Sequence, residues 1–131
     1  AMDKTMFNSI DGIETYFEYF ANVPWCHFHD VIEYRWFRKY DNEELSDRYY
    51  VELVMADTNH DDVVKFIFND VEMLSDISMH GYISGLEILN KCKELHRAAY
   101  EVLDFEDGAI HMLCSDFLID VIRAHGIEIE K

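Results

Sequence analysis

Residues 31–40, VIEYRWFRKY, decide the fold, because apolar and polar side chains alternate along them. The apolar face carries Ile32, Tyr34, Trp36 and Tyr40. The charged face carries Glu33, Arg35 and Lys39. A period of two predicts a β-strand with one face on a core and the other in solvent.

Three later segments have the same period, which predicts a strand-rich region over about residues 28–123. They are RYYVELVMA (48–56), VVKFIFNDVEML (63–74) and YISGLEIL (82–89). In the second of them the alternation changes phase near Asn69 and Asp70, which indicates a bulge or a strand end. Farther along, Glu-Asp-Gly at 106–108 separates two extended runs and predicts a hairpin. Residues 90–99 fit a helical turn or a loop equally well.

Upstream of the strands, residues 9–24 (SIDGIETYFEYFANVP) have a helical period instead. Their apolar stripe at i, i+3, i+4 and i+7 consists of Ile13, Tyr16, Phe17 and Phe20. Asp11 followed by Glu14 resembles a capping box, and Pro24 closes the segment. The pattern predicts one helix over about residues 11–21.

This order of elements predicts an α+β fold. One N-terminal helix is followed by a largely antiparallel, meander-like sheet of five or six strands. No linker or repeat divides the chain, so we expect a single domain over residues 2–131.

The composition combines a large apolar fraction with strong acidity. Of the 131 residues, 50% are hydrophobic, and the formal net charge is −16. The apolar fraction excludes a disordered acidic chain. The charge repels phosphate, so neither nucleic acid nor a membrane is expected as a partner, and a basic protein is favoured. Acidity that serves only solubility is the alternative.

Targeting and cysteine signals are weak. No stretch approaches the roughly 18 apolar residues of a membrane span, and the N-terminal residues lack the pattern of a signal peptide, so a cytoplasmic location is expected. Three cysteines without a CxxC pair indicate buried free thiols rather than disulfides or a cysteine-rich zinc site.

In a meander, alternate loops lie at the same end of the sheet. Loops 41–47, 75–82 and 106–109 would therefore share one end, and loops 57–62, 91–98 and 115–116 the other. The first end would gather Asp41, Glu43, Glu44, Asp47, Asp76, Glu106 and Asp107. The sequence thus predicts an acidic rim that attracts a basic protein, with Tyr49 and Tyr50 as candidate anchors.

One pattern is typical of a metal site. His27, His29 and Glu33 satisfy HxHxxxE, the core of the first cupin metal motif. The glycines that flank that core in cupins are missing, and no second motif follows. His60, Asp61 and Asp62 fit a turn better than a ligand cluster. No phosphate loop or nucleophile motif is present, so we expect no cofactor and no catalytic residue.

The arrangement Trp25-x-x-Phe28-His29-Asp30, followed by an alternating strand, by VVKFIFNDVEML and by a closing hairpin with IHMLCSDFLIDVI, resembles a group of small bacterial proteins. That group includes immunity protein fifty and related uncharacterised families, and the likeness covers roughly residues 23–122. The resemblance implies a sheet-rich, non-catalytic protein that is encoded beside a secreted toxin and neutralises it by binding.

Three hypotheses follow from these observations. The first is a binding protein for a basic partner. In this hypothesis the side chains of Trp25 and Phe28 pack over the open end of the sheet. His29 and Asp30 would then satisfy backbone groups or each other. The second is a metal-dependent enzyme using HxHxxxE, and the third is a structural domain that forms a homodimer through an uncovered edge strand.

Overall fold

The computed structural model describes residues 3–77, 81–91 and 99–130. These ranges contain one α-helix, two short 3-10 helices and nine strands. The helix is α1 (Ile13–Phe20), and the 3-10 helices are Lys4–Phe7 and Trp25–His27. The strands are β1 (Asp30–Asp41), β2 (Ser46–Ala56), β3 (Val63–Asn69), β4 (Glu72–Met73), β5 (Leu86–Asn90), β6 (Tyr100–Asp104), β7 (His111–Cys114), β8 (Asp116–Ala124) and β9 (Ile127–Glu128).

The strands form two antiparallel sheets, so the predicted single meander is wrong in its topology although the α+β class is confirmed. The first sheet has the order β1-β2-β3-β8-β9, and the second has the order β4-β7-β6-β5. Between β3 and β4 the chain leaves the first sheet at Asp70, whose φ is +54°. The phase change near Asn69 therefore marks a change of sheet. Residues 92–98, which fitted a turn or a loop, lie outside the described ranges.

Helix α1 begins two residues later than predicted, and Gly12, not Asp11, is its N-cap. Of its apolar stripe, Ile13, Tyr16 and Phe20 are buried, as the spacing predicts, and Phe17 is partly buried. The hydroxyl of Tyr16 donates a hydrogen bond of 2.6 Å to the carbonyl of Val23. Ahead of the helix, the backbone N–H of Ile119 in β8 donates to the carbonyl of Asp11 at 2.9 Å. The helix is thereby fixed against the first sheet.

One core lies between the two sheets and the helix. Trp25, which is 2% exposed, belongs to this core. Its ring lies 4.9 Å from that of Tyr16 and 5.7 Å from that of Phe66. Residues from both sheets share this core, namely Phe66, Phe68, Ile88, Val102, Met112 and Phe117. Each such side chain contributes about 1.5–3 kcal/mol of transfer free energy, which draws the sheets together.

The β1–β2 hairpin projects beyond the rest of the first sheet. β2 pairs with β3 only from Tyr50 to Ala56, whereas it pairs with β1 back to Ser46. β1 is an edge strand, and a register shift between Val31 and Glu33 places a bulge near its start. Residues 38–49, called the hairpin tip below, therefore protrude from the sheet.

Candidate functional site

The hairpin tip holds four of the predicted partner-binding acids. In its turn, the carboxylate of Asp41 accepts hydrogen bonds from the backbone N–H groups of Glu44 (3.2 Å) and Glu43 (2.9 Å). These bonds, together with the nearby guanidinium of Arg48, lower the pKa of Asp41. Asp47 lies 3.6 Å from Arg38. The structure thus brings Asp41, Glu43, Glu44 and Asp47 together.

Arg48 organises the base of the hairpin tip. Its Nε lies 2.7 Å from Asp41 Oδ2, and its Nη1 lies 3.1 Å from Asp70 Oδ2. The charge of Asp70 is the main cause that raises the pKa of this guanidinium. Arg48 thus links Asp41 in the tip to Asp70 at the end of β3. Exposed ion pairs of this kind contribute little to the free energy of unfolding.

Aromatic side chains cover both faces of the β1–β2 hairpin where the hairpin tip leaves the sheet. Trp36 stacks on Tyr49 with ring centroids 5.3 Å apart, and Phe37 stacks on Tyr50 at 5.2 Å. Trp36 is 47% exposed, and Tyr40 is 58% exposed. Tyr49, a predicted anchor, is half-buried and packs against the core.

Glu106 and Asp107 lie at the opposite end of β1, so the predicted acids do not form one rim. Asp107 accepts a hydrogen bond from the hydroxyl of Ser84. Next to Ser84, Ile83 donates its backbone N–H to the carbonyl of His29 at 2.8 Å, which places this loop beside the start of β1. The expectation of a shared rim fails because it assumed a single sheet.

The other end of the β1–β2 hairpin collects histidines around the loop 57–62. His27 Nε2 lies 2.8 Å from Asp62 Oδ2, and His29 Nε2 lies 2.9 Å from the hydroxyl of Thr58. His60 Nε2 contacts the carboxylate of Asp30. His29 and Asp30 thus bond side chains of this loop, whereas we expected them to bond backbone groups or each other.

His125 reaches the same loop from the β8–β9 turn. Its backbone N–H donates to Asp62 Oδ1 at 2.8 Å, and its Nε2 lies 3.0 Å from the carbonyl oxygen of Tyr19. Both His125 and Gly126 have positive φ, as a tight hairpin turn requires. We refer to His27, Asp57, Asp62 and His125 as the His–Asp cluster.

The predicted ligand set His27, His29 and Glu33 is not brought together. Among the described residues, one group of three offers ligand atoms within 4.8 Å of one another, and it consists of His27, Asp57 and Asp62. Glu33 lies exposed on β1 opposite Val54. Sequence reasoning missed Asp57 and His125, because their proximity to His27 depends on strand pairing.

The two cysteines that the structure describes differ in environment. Cys26 is exposed, contrary to the expectation of buried thiols, and Cys114 is buried. Burial, followed by the charge of Asp116, raises the pKa of Cys114 to about 12. Neither forms a disulfide.

No known protein family, curated protein or solved structure matches the chain. In the part of the chain that the structure describes, no helix has both the length and the apolar character needed to cross a membrane.

Proposed function

We propose that the protein is a non-catalytic binding protein that neutralises a basic partner, such as a cognate toxin, through the hairpin tip and the exposed ring of Trp36 beside it. One observation carries the proposal: the exposed rings of Trp36 and Tyr40 lie on the same hairpin as the clustered carboxylates of the tip. Interfaces obtain most of their binding energy from a few aromatic or arginine anchors, while the surrounding charges steer association.

Two exposed carboxylates at the turn of the tip favour a basic partner. Arg48 is held between Asp41 and Asp70, and Arg38 lies near Asp47. Within the described ranges, Glu43 has no ion pair with a cation, and Glu44 lies 3.9 Å from Arg48. Both glutamates are exposed at the turn and therefore project negative charge outward. The predicted rim also required Glu106 and Asp107, whereas this mechanism uses only the acids of the hairpin tip.

The exposed rings supply candidate anchors. Trp36 and Tyr40 are the large exposed aromatic residues of β1, and Leu45, at 75% exposure, stands in the turn between the strands. Truncation of such a residue at the centre of an interface commonly costs about 2 kcal/mol or more of binding free energy. Tyr49 stacks on the ring of Trp36, and its role in this proposal is to hold that ring in position.

The test uses the protein encoded by the neighbouring gene, if that gene encodes a secreted protein with a variable C-terminal domain. The association rate of that domain with the wild-type chain is measured by surface plasmon resonance. Glu43→Lys/Glu44→Lys should slow association by about tenfold at low salt. The difference should disappear near 1 M salt, where the Debye length is about 3 Å.

The matched control is Glu18→Lys/Glu106→Lys, which makes the same charge change at exposed positions away from the tip. It should leave the association rate much closer to that of the wild type. Equal slowing by the two double variants would show that only overall charge matters. If the wild-type chain does not bind this domain, the proposal is wrong for that partner.

Self-association is a second candidate, because β1 is a twelve-residue edge strand. Exposed edges pair readily with other strands, although the bulge near Ile32 and the charges along β1 oppose this. Sedimentation equilibrium distinguishes the two uses of the hairpin. A dimer that Trp36→Lys dissociates supports pairing between copies, whereas a monomer at all concentrations excludes it.

A further inference from the structure

Asp62 is a buried carboxylate that faces two histidines. It is 8% exposed, and its ion-pair contacts among the described residues are His27 at 2.8 Å and His125 at 3.9 Å. The neighbouring Asp57 accepts a hydrogen bond of 3.0 Å from the backbone N–H of Asp62. Buried charges are normally paired or bound to metals, so this concentration of acid calls for a cation.

The ligand atoms of His27, Asp57 and Asp62 have nearly the spacing of a metal centre. They lie within 4.8 Å of one another. Bonds of about 2.0–2.2 Å to a tetrahedral zinc ion place neighbouring ligand atoms roughly 3.4 Å apart. Binding would therefore open the 2.8 Å contact between His27 and Asp62 and draw Asp57 inward.

His125 presents a lone pair to the same region. A carbonyl oxygen can only accept, so His125 Nε2 donates its hydrogen to Tyr19. In the neutral ring Nδ1 is then unprotonated, and it lies 3.9 Å from Asp62 Oδ1. This separation is too long for a hydrogen bond but suits two atoms that face one cation. A histidine ligand commonly donates its other N–H to a carbonyl in this way.

We infer that the His–Asp cluster binds a divalent transition-metal ion of the Zn²⁺ class through His27 Nε2, one oxygen of Asp57 and one of Asp62. A fourth position is left to His125 Nδ1 or to water. Mixed imidazole and carboxylate ligands suit Zn²⁺ and its neighbours, whereas Mg²⁺ and Ca²⁺ prefer oxygen alone. Ligation through His27 Nε2 requires the tautomer that carries its hydrogen on Nδ1, so the hydrogen bond between Nε2 and Asp62 is exchanged for bonds to the metal.

This site shares His27 with the HxHxxxE pattern but not the other two residues of that pattern, because His29 bonds Thr58 and Glu33 lies elsewhere on β1. It is also at the opposite end of β1 from the hairpin tip, so it does not depend on the proposed partner. A metal there would join the 3-10 helix Trp25–His27 to the loop 57–62 and so fasten the start of β1.

The test titrates the full chain, freed of metal by a chelator, with Zn²⁺ in a calorimeter and with Co²⁺ in an absorption spectrometer. All proteins carry Cys26→Ser, so that the exposed thiol next to His27 is not a ligand. We expect one ion per chain, cobalt bands typical of four-coordinate binding, and no displacement by excess Mg²⁺.

His27→Gln and Asp57→Asn each retain a side chain that can form hydrogen bonds, and they should weaken Zn²⁺ binding by at least about tenfold. The matched control is His111→Gln, since His111 Nε2 lies 2.6 Å from Glu101 Oε2 and, among residues 3–77, 81–91 and 99–130, belongs to no group of three ligand residues. It should bind Zn²⁺ as the parent protein does. Zn²⁺ should also raise the melting temperature of the parent and control, but not of Asp57→Asn. No stoichiometric binding, wild-type affinity in both cluster variants, or an equal loss in the control would overturn the inference.

Discussion

A Cβ atom at Gly12 would lie 1.8 Å from the carbonyl oxygen of Ile119, so helix α1 begins in direct backbone contact with β8. Gly12 also has φ +90°, a conformation that other residues rarely adopt. The two backbones cannot approach this closely with any other residue at position 12.

Gly12→Ala should therefore lower the free energy of unfolding by more than about 2 kcal/mol. The measurement is denaturation in urea followed by circular dichroism. Gly108→Ala is the matched control, because Gly108 also has positive φ but a Cβ there would meet no atom within 4 Å. Gly108→Ala should lower the free energy of unfolding by only about 1 kcal/mol. An equal loss of free energy of unfolding in the two variants would show that the backbone near Ile119 can shift to make room for the added Cβ atom without loss of stability.

Asp104 stabilises the turn between β6 and β7 through backbone hydrogen bonds. Burial alone would raise the pKa of this carboxyl, but N–H groups of Ala109, Glu106, Asp107 and Gly85 outweigh that effect and lower it. Asp104→Asn should reduce the free energy of unfolding by about 2 kcal/mol at pH 7, because bonds to a charged acceptor are replaced.

The pH dependence of this contribution has a definite sign. A carboxyl with a lowered pKa in the folded state stabilises the fold above its unfolded pKa and loses that contribution as the pH falls through the folded value. The difference in free energy of unfolding between wild type and Asp104→Asn should thus be constant from about pH 7 to about pH 5. It should become smaller below about pH 3.9. The exposed change Glu106→Gln should not reproduce it. A pH-independent difference would contradict the assignment.

The two described cysteines should differ in reactivity. Because the thiolate is the nucleophile, exposed Cys26 should react readily with a disulfide reagent at pH 8. Cys114, whose pKa is raised to about 12 by burial, should react only as fast as the protein opens. The labelled sites are identified by mass spectrometry in a Cys92→Ser background. Rapid labelling of Cys114 would contradict its burial in the core.

His29→Ala should destabilise the protein without affecting metal affinity. The variant loses the bond to Thr58 and the contact with the ring of Tyr82, whose centroid lies 4.9 Å away. We expect a loss of about 1–2 kcal/mol, seen as a lower melting temperature. Zn²⁺ affinity, measured as for the cluster variants, should equal that of wild type. A large loss of affinity would instead favour the HxHxxxE ligand set.

Several elements could be predicted because their signals are local. The stripe from Ile13 to Phe20 defines a helical face within two turns, and alternation in 31–40 and 48–56 defines two strands. The Glu-Asp-Gly turn joins β6 to β7, as predicted. Each depends on neighbours in the chain, whose spacing directly sets which side chains share a face.

The His–Asp cluster could not be predicted in this way. His27 and Asp62 are 35 positions apart, and they meet because the β1–β2 register places Asp30 opposite Ala56. Nothing in the residues around His27 specifies that register. Likewise, the place of Glu106 depends on which sheet holds β6, and local alternation is identical for either sheet.

The sequence by itself therefore determined the helix, most of the strands and the acidity of the chain, because these follow from side-chain periodicity and composition. Only the tertiary structure decided that the strands divide between two sheets, that the acids occupy both ends of β1, and that His27 faces Asp57 and Asp62. The physical reason is that burial of the aromatic core selects among strand pairings that local alternation leaves equivalent.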